Sequence, residues 1–226
     1  ARGAWMTTSR LIINALKKGI LDNGSVRIAF PGGRSAVSLM EELSHSELDW
    51  SAVHVTLVDE RAVDHLHEAS NARLVRRKLC INHADNALFE PLFVGKDAET
   101  SAQLLNQAEL LIDVAVLGMG EDGHFASLFP NKSPVQGLAD LTDGFVATGP
   151  IGSPSVPRIS MTLQRILSAP LVVLLVSSDA KQEKVMAGLK AVDPLNPVSY
   201  LLASDHLLSV VWPDQSVTTL RKGVVQ

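Results

Sequence analysis

Cysteine is almost absent from the chain, and long apolar runs are missing altogether. Cys80 is the single cysteine among 226 residues. With no second cysteine, an internal disulfide and a cysteine-based metal site are excluded, and we expect a buried, inert thiol. No apolar run approaches the roughly 20 residues that a membrane-spanning helix needs. Residues 1–5 contain no initiator methionine and no signal-peptide hydrophobic segment. We therefore expect a cytoplasmic protein without membrane contact.

Positive charge is not in excess either. The net charge is −4, whereas nucleic-acid-binding domains are usually strongly basic. The nearest approach to a basic cluster lies at Arg73, Arg76, Arg77 and Lys78, in a helix-like stretch. A solvated helix face explains this cluster more simply than a binding surface does. We expect no nucleic-acid partner.

Aromatic residues are scarce, at 4% of the chain, whereas hydrophobic residues make up 46%. A composition dominated by alanine, valine and leucine favours helices packed on a mainly parallel sheet over an all-β sandwich. Apolar β-rich runs alternate with segments of helical period. The predicted strands are Val26–Phe30, Val53–Val58, Val114–Leu117, Leu171–Val176 and Leu207–Trp212, with weaker candidates at Leu88–Val94 and Phe145–Thr148. The predicted helices are Thr8–Leu21, Ser35–Leu43, Ser70–Cys80, Ala98–Leu110, Leu163–Leu167 and Lys181–Leu189.

This alternation predicts repeated βα units, and hence a doubly wound, mainly parallel sheet with helices on both faces. The length suits one large α/β domain over residues 1–226 better than two small domains. The Pro- and Gly-rich stretch Gly149–Pro157 is too short for a domain boundary, and it is predicted to be a loop. Residues 1–6 are expected either not to belong to the natural domain or to be disordered.

Polar residues follow four of the predicted strands directly. They lie at Pro31–Ser35, Asp59–Arg61, Gly118–His124 and Ser177–Lys181. In open α/β sheets, ligands bind in the crevice beyond the carboxyl ends of the strands. The four segments therefore predict one site at one edge of the sheet.

Two of these segments are ambiguous by themselves. Gly32 and Gly33 precede a helix, where bare backbone N–H groups attract anions, but a Gly-Gly turn is as often only a turn. Ser35 could either cap that helix or donate its hydroxyl to a phosphate. Arg158 and Lys181 are suited to a phosphate dianion, although each could equally be an ordinary surface charge.

Asp59-Glu60-Arg61 places two carboxylates and a guanidinium at a strand end. For such a triplet in isolation, a surface ion-pair cluster is the simpler interpretation.

The segment Gly118–Pro130 carries the strongest signal. Three glycines within six residues force a tight turn after a buried strand and deliver His124 to the sheet edge. Asp122 lies two residues earlier, where it can orient the imidazole. Because histidine titrates near neutral pH, this setting favours a general base over a structural histidine.

Taken together, these segments resemble the 6-phosphogluconolactonase family, within the larger group that includes the glucosamine-6-phosphate deaminases. The resemblance spans about Ser25 to Trp212. Gly118–Pro130 is similar, without a mismatch, to the family pattern Gly-x-Gly-x-Asp-Gly-His-x-Ala-Ser-Leu-Phe-Pro. Lys181 falls where the family has a phosphate-binding lysine. Two further blocks are similar to family segments: Asp59-Glu60-Arg61 with Val63, His67, Ser70 and Asn71, and Pro157–Thr162.

The chain departs from the family pattern in two segments. Pro31 stands where the glycine loop usually has a small hydroxyl residue, and Arg34 stands where many members have serine. Ser177-Ser178 replaces the usual Thr-Gly before the lysine. These departures concern the phosphate contacts and leave the catalytic segment unchanged.

The resemblance implies a single Rossmann-like domain that hydrolyses 6-phosphoglucono-δ-lactone to 6-phosphogluconate in the oxidative pentose phosphate pathway. It implies that His124 deprotonates the water that attacks C1, that Asp59 and Asp122 orient this histidine, and that Arg61 stabilises the oxyanion. The implied substrate and phosphate contacts are Gly32, Gly33, Arg34, Ser35, Asn71, Arg158 and Lys181. It implies no cofactor and no metal, a small sugar-phosphate lactone as the ligand, and a monomer or weak homodimer.

Two other functions are considered for the same sequence. A deaminase or aldose–ketose isomerase of the same group uses a carboxylate five residues beyond the histidine, where this chain has Phe129. A non-catalytic sugar-phosphate sensor would not require the His–Asp pair, which is intact here. The sequence also shows no DNA-binding segment beside the domain. Hydrolysis is therefore the preferred prediction.

Overall fold

The computed structural model describes residues 5–222, 224 and 225. The helices are α1 (Met6–Asn23), α2 (Val37–Ser44), α3 (Asn71–Lys78), α4 (Ala98–Ala108), α5 (Leu163–Leu167), α6 (Asp179–Lys190) and α7 (Val198–Leu202). The strands are β1 (Val26–Phe30), β2 (Val53–Leu57), β3 (Asp59–Arg61), β4 (Leu88–Phe89), β5 (Val114–Leu117), β6 (Phe145–Ile151), β7 (Val156–Met161), β8 (Leu171–Leu175), β9 (Leu208–Val211), β10 (Val217–Arg221) and β11 (Val224–Val225).

Eight strands form the main sheet, in the order β11-β10-β9-β8-β5-β1-β2-β4. The strands from β9 to β4 are parallel, and the β9–β10 and β10–β11 pairs are antiparallel. From β1 the chain builds one edge of the sheet with β2 and β4. It then returns to place β5 on the other side of β1, and β8 and β9 continue the sheet from β5 in that direction. Because such crossovers are right-handed, the two halves place their helices on opposite faces. The predicted doubly wound sheet is confirmed, and its order reverses between β1 and β5.

Most predicted elements are present with nearly the predicted bounds, because buried aliphatic runs define them. All residues of β5 are buried, as are all residues of β9. The weak candidate strand Leu88–Val94 reduces to Leu88–Phe89. Pro91 follows closely and has no amide hydrogen to extend the pairing.

A second, three-stranded antiparallel sheet joins β3, β7 and β6. The predicted loop over Gly149–Pro157 is wrong at both ends, since β6 continues to Ile151 and β7 begins at Val156. The pairing shifts register between Thr148 and Ile151, and Gly152 has a φ of +77°. Proline and glycine are tolerated here because they lie at a register shift and next to the hairpin turn.

The start of the described chain belongs to the domain. Met6 begins α1, and Trp5 is only 9% exposed within the main core cluster. These two positions are therefore ordered, although they fall within the segment expected to be foreign or disordered, and residues 1–4 lie outside the described residues. The helix turns Ile12 and Leu16 into the core. Across the described residues, no helix is both long enough and apolar enough to span a membrane.

Candidate active site

A cleft of about 380 Å³ opens where strand order reverses, at the carboxyl ends of β1 and β5. Every site residue predicted from the sequence lines this cleft except Asp122, which lies behind His124. The volume is typical of a small-molecule site. The four polar segments that follow separate strands therefore meet, as the topology required.

Two glycines allow the loop after β5 to fold back on itself. A Cβ on Gly120 would lie 2.3 Å from Nδ1 of His124 and 2.6 Å from Oδ1 of Asp122. Gly123 has a φ of +87°, and a Cβ there would lie 2.1 Å from Oδ1 of Asn196. Gly120 is required because the histidine is held directly against the loop backbone, and Gly123 is required by its positive φ and by the close approach of Asn196.

His124 and Asp122 form a hydrogen-bonded pair, with 2.6 Å between Nδ1 and Oδ1. The same oxygen accepts the backbone N–H of His124 at 3.0 Å. Burial works to raise the pKa of Asp122, but the hydrogen bonds and charge of His124 outweigh it, and the pKa lies below its ordinary value. Since an ionised carboxylate only accepts, Nδ1 carries the proton of the neutral imidazole, and in that form Nε2 has the free lone pair. Nε2 has no protein hydrogen-bond partner among the described residues.

The two carboxylates of β3 have different surroundings. Asp59 lines the cleft, and its Oδ2 accepts the hydroxyl of Ser127 at 2.6 Å. Within the described chain, no hydrogen bond joins Asp59 to His124. Glu60 is fully buried and accepts the N–H groups of Arg61 and of the first two residues of α3, each at 2.8 Å. Burial raises the pKa of Glu60 more than these bonds lower it. Glu60 therefore fixes the start of α3 and does not line the cleft.

Replacing Glu60 by alanine is expected to lower the free energy of unfolding by about 3 kcal/mol or more, because buried N–H groups would lose their acceptor. Urea unfolding of the purified variant measures this loss. The matched control is Glu68→Ala, since Glu68 is exposed, and it should change stability by less than about 0.5 kcal/mol. Equal stability of both variants would show that Glu60 is not the anchor of α3.

Asn71 joins three parts of the cleft wall. Its side-chain amide donates to the carbonyl of Asp59 at 2.9 Å, and its Oδ1 accepts from Nη1 of Arg61 at 3.3 Å. The same oxygen would lie 2.0 Å from a Cβ on Gly32. Arg61 also donates to the carbonyl of Ala69 at 2.9 Å. The guanidinium is therefore held by neutral oxygens, and Gly32 is required for close packing against the amide.

Lys181 and Arg158 reach the cleft from different elements. Nζ of Lys181 lies 3.1 Å from Oγ of Ser177, which also lines the cleft. Arg158 is only 3% exposed, and its Nε and Nη2 donate to the carbonyls of Ile151 and Pro154 at 3.0 and 3.1 Å. Burial, together with the charge of Arg61, lowers the pKa of the Arg158 guanidinium.

The turn after β1 completes the wall. Gly33 has a φ of +86°, and a Cβ there would meet nothing within 4 Å. The chain then forms a short 3-10 turn over Arg34–Ala36 that continues into α2. No side-chain cap closes either helical start, so Ser35 is not a capping residue here. Arg34 and Ser35 both line the cleft.

Four cations and one carboxylate thus line the cleft: Arg34, Arg61, Arg158 and Lys181, against Asp59. Within the described chain, none of the four forms a salt bridge. An excess of positive charge in a molecule of net charge −4 favours an anionic ligand.

The described residues contain no group of three or more His, Cys, Asp and Glu side chains that could hold a metal ion. Cys80 lies away from the cleft lining, and burial raises the pKa of its thiol to about 11. The thiol is therefore protonated at neutral pH and a poor nucleophile, consistent with the inert cysteine expected from the sequence.

A doubly wound α/β domain with a His–Asp pair in a cation-rich cleft has the arrangement of an enzyme for small anionic substrates. The family of glucosamine-6-phosphate isomerases/6-phosphogluconolactonases matches residues 4–212. The chain belongs to this family.

The chain aligns with most of the length of several named relatives. It is 42% identical to the 6-phosphogluconolactonase of Pseudomonas aeruginosa over 170 residues, covering 73% of this chain and 71% of the relative. It is 35% identical to that of Caulobacter vibrioides over 212 residues, covering 90% of both. The crystal structure of a 6-phosphogluconolactonase from Shewanella baltica superposes with a TM-score of 0.84 at 31% identity, covering 92% of each chain. The likeness thus extends over most of the chain.

Proposed function

We propose that the protein hydrolyses 6-phosphoglucono-δ-lactone to 6-phosphogluconate in the oxidative pentose phosphate pathway. One observation carries the proposal: a histidine paired with a carboxylate lies in a cleft with four cations, and its Nε2 has no hydrogen-bond partner among the residues that the structure describes. Such a base can activate water, and the cations suit both a phosphate dianion and a developing oxyanion. The names of the relatives support the same reaction.

In the proposed reaction, Nε2 of His124 removes a proton from water as the water oxygen attacks C1 of the lactone. The carbonyl oxygen becomes an oxyanion, which the guanidinium of Arg61 stabilises. When the C1–O5 bond breaks, the imidazolium returns its proton to the ring oxygen, giving the C5 hydroxyl and the carboxylic acid. Asp122 accepts the hydrogen bond from Nδ1–H throughout, so it orients the ring and stabilises the imidazolium. Asp59 accepts the hydroxyl of Ser127 and thereby ties β3 to the loop that carries His124.

The phosphate is proposed to lie against the turn Gly32–Ser35 and Lys181. Gly33 leaves the backbone open to close approach. The hydroxyls of Ser35 and Ser177 add donors beside the ammonium group of Lys181. Arg34 supplies a further positive charge at the exposed edge, where the family often has serine.

Lys181→Ala is expected to raise KM for the phosphorylated lactone by about 10- to 150-fold, since a charged hydrogen bond contributes about 1.5–3 kcal/mol. It should barely change the rate with unphosphorylated gluconolactone, because that substrate lacks the anion. Steady-state assays with both lactones measure this ratio.

The control for that variant is Lys190→Ala, which removes an exposed lysine at the far end of α6. It should leave both substrates unaffected. An unchanged substrate ratio in Lys181→Ala would place the phosphate elsewhere in the cleft.

The other activity of the family is isomerisation with deamination of glucosamine 6-phosphate. That reaction needs a carboxylate where this chain has Phe129. Among the described residues, Asp122 is the one carboxylate that hydrogen-bonds to His124, and the ring of Phe129 packs against the imidazole. This contact favours hydrolysis over deamination.

Supplying the purified protein separately with the phosphorylated lactone and with glucosamine 6-phosphate tests the choice between the two activities. Acid production is followed in the first case, after subtraction of spontaneous hydrolysis, and ammonia release in the second. We expect acid production and no ammonia. Ammonia release without lactone hydrolysis would reverse the assignment.

A further inference from the structure

The imidazole of His124 is packed as well as hydrogen-bonded. The rings of His124 and Phe129 are stacked, with 4.3 Å between their centroids and 19° between their planes. The guanidinium carbon of Arg158 lies 5.3 Å from the centroid of the same phenyl ring. Phe129 therefore joins a cation of β7 to the histidine of the loop after β5.

The hairpin between β6 and β7 holds this arrangement in place. A Cβ on Gly152 would lie 2.9 Å from Cζ of Phe129 and 2.5 Å from Nη2 of Arg158, so the hairpin backbone packs on both groups. The carbonyls of Ile151 and Pro154 accept hydrogen bonds from the guanidinium. Arg158 is consequently fixed by the hairpin, and its planar group has little freedom to follow a substrate.

The hydrogen bond to Asp122 restrains one edge of the imidazole and leaves the tilt of the ring plane undetermined. Stacking on a buried phenyl ring supplies the missing restraint, because Phe129 is only 9% exposed and is backed by Gly152 and Arg158. General-base catalysis depends on the direction of the Nε2 lone pair, and a misplacement of about 1 Å can cost about 10²-fold in rate.

We propose that Phe129 and Arg158 are positioning residues that hold the plane of the His124 imidazole in the cleft. The catalytic part of this proposal rests on the proposed lactonase function, whereas the ring restraint itself does not. It gives Arg158 a role different from the phosphate contact that the sequence resemblance implies. Removal of Arg158 should reduce turnover of any lactone and leave the preference for the phosphorylated lactone unchanged.

Nuclear magnetic resonance of the ligand-free protein tests the restraint without any substrate. In the wild type, the ring current of Phe129 should shift the carbon-bound protons of His124 upfield. Phe129→Leu and Phe129→Met should both move these signals downfield, and Arg158→Met should broaden or shift them. Tyrosine is unsuitable at this position because Gly152 packs against Cζ. Signals of His124 that stay unchanged in both Phe129 variants would overturn the proposal.

Kinetics with both lactones tests the consequence for catalysis. Phe129→Leu and Arg158→Met are expected to lower kcat by up to about 10²-fold on both substrates, with KM little changed. The matched control is Arg76→Met, since Arg76 lies 4.8 Å from the centroid of Phe89 in a similar contact outside the cleft. This control should change neither kcat nor the His124 signals.

The outcomes separate the possible failures. A rise in KM for the phosphorylated lactone alone in Arg158→Met would make Arg158 a phosphate contact and overturn its positioning role. If the wild type hydrolysed neither lactone, the proposed function would fail, and the His124 signals would still decide whether the ring is restrained. Loss of the His124 shift together with reduced kcat on both substrates supports the full proposal.

Discussion

His124→Ala is expected to lower kcat for lactone hydrolysis by about 10²–10⁴-fold, the usual cost of losing a general base. The affinity for 6-phosphogluconate should change little, because the phosphate contacts lie on other segments. The effect should be large because Nε2, the ring nitrogen that does not bond to Asp122, is the proposed proton acceptor. Steady-state rates, corrected for spontaneous hydrolysis, give the loss directly, and calorimetry with 6-phosphogluconate gives the affinity.

His83→Ala is the matched control for this experiment. His83 is exposed on a short 3-10 turn and does not line the cleft, so its removal should leave kcat unaffected. Turnover of His124→Ala close to that of the wild type would reduce His124 to a structural role.

Arg61→Met should lower kcat by about 10²–10³-fold if the guanidinium stabilises the oxyanion, as loss of one such donor typically does. Among the described residues, the hydrogen bonds of the guanidinium go to the neutral oxygens of Ala69 and Asn71, so its charge remains available to the substrate. The loss should be similar with phosphorylated and unphosphorylated lactone, because both form the same oxyanion at C1.

Two further variants sharpen the Arg61 test. Arg61→Lys keeps the charge and should retain more activity than Arg61→Met. Arg77→Met removes an exposed arginine of α3 and should have no effect. A selective rise in KM for the phosphorylated lactone in Arg61→Met would instead assign this residue to the phosphate.

Much of the fold could be predicted from the sequence, because buried parallel strands are continuous aliphatic runs. β1 and β5 have the predicted bounds. α5 also has the predicted bounds, and its N-cap Thr162 accepts the amide of Arg165. The position of the site followed from the same pattern, since polar residues directly after parallel strands must meet at one edge of the sheet.

The remaining elements carry little secondary-structure signal in their own residues. β10 contains threonines and only one buried residue, and pairing with β9 is what makes it a strand. α7 has five residues and follows a proline, so no helical period is visible. In the hairpin of β6 and β7, the sequence predicts a strand only over Phe145–Thr148, because prolines and glycines over Gly149–Pro157 are typical of a loop.

Within the site, the sequence indicated which residues meet but not what each one contacts. Glu60 and Asp59 are adjacent in one motif, yet one fixes α3 and the other lines the cleft. The stack of Phe129 on His124 could not be predicted, because a phenylalanine five residues after a histidine has no preferred contact without the turn geometry. Arg158 is 29 residues from Phe129 in the sequence, and the contact between them follows from the position of β7 in the fold.

The most direct test of the central claim is the ratio of kcat/KM for phosphorylated over unphosphorylated gluconolactone in the wild type, each corrected for spontaneous opening. A catalytic base in a cleft built for a phosphate dianion predicts acceleration of both lactones and a preference of at least about 10-fold for the phosphorylated one, which corresponds to about 1.4 kcal/mol. Equal kcat/KM for the two lactones, or no rate above spontaneous hydrolysis for either, would contradict the account.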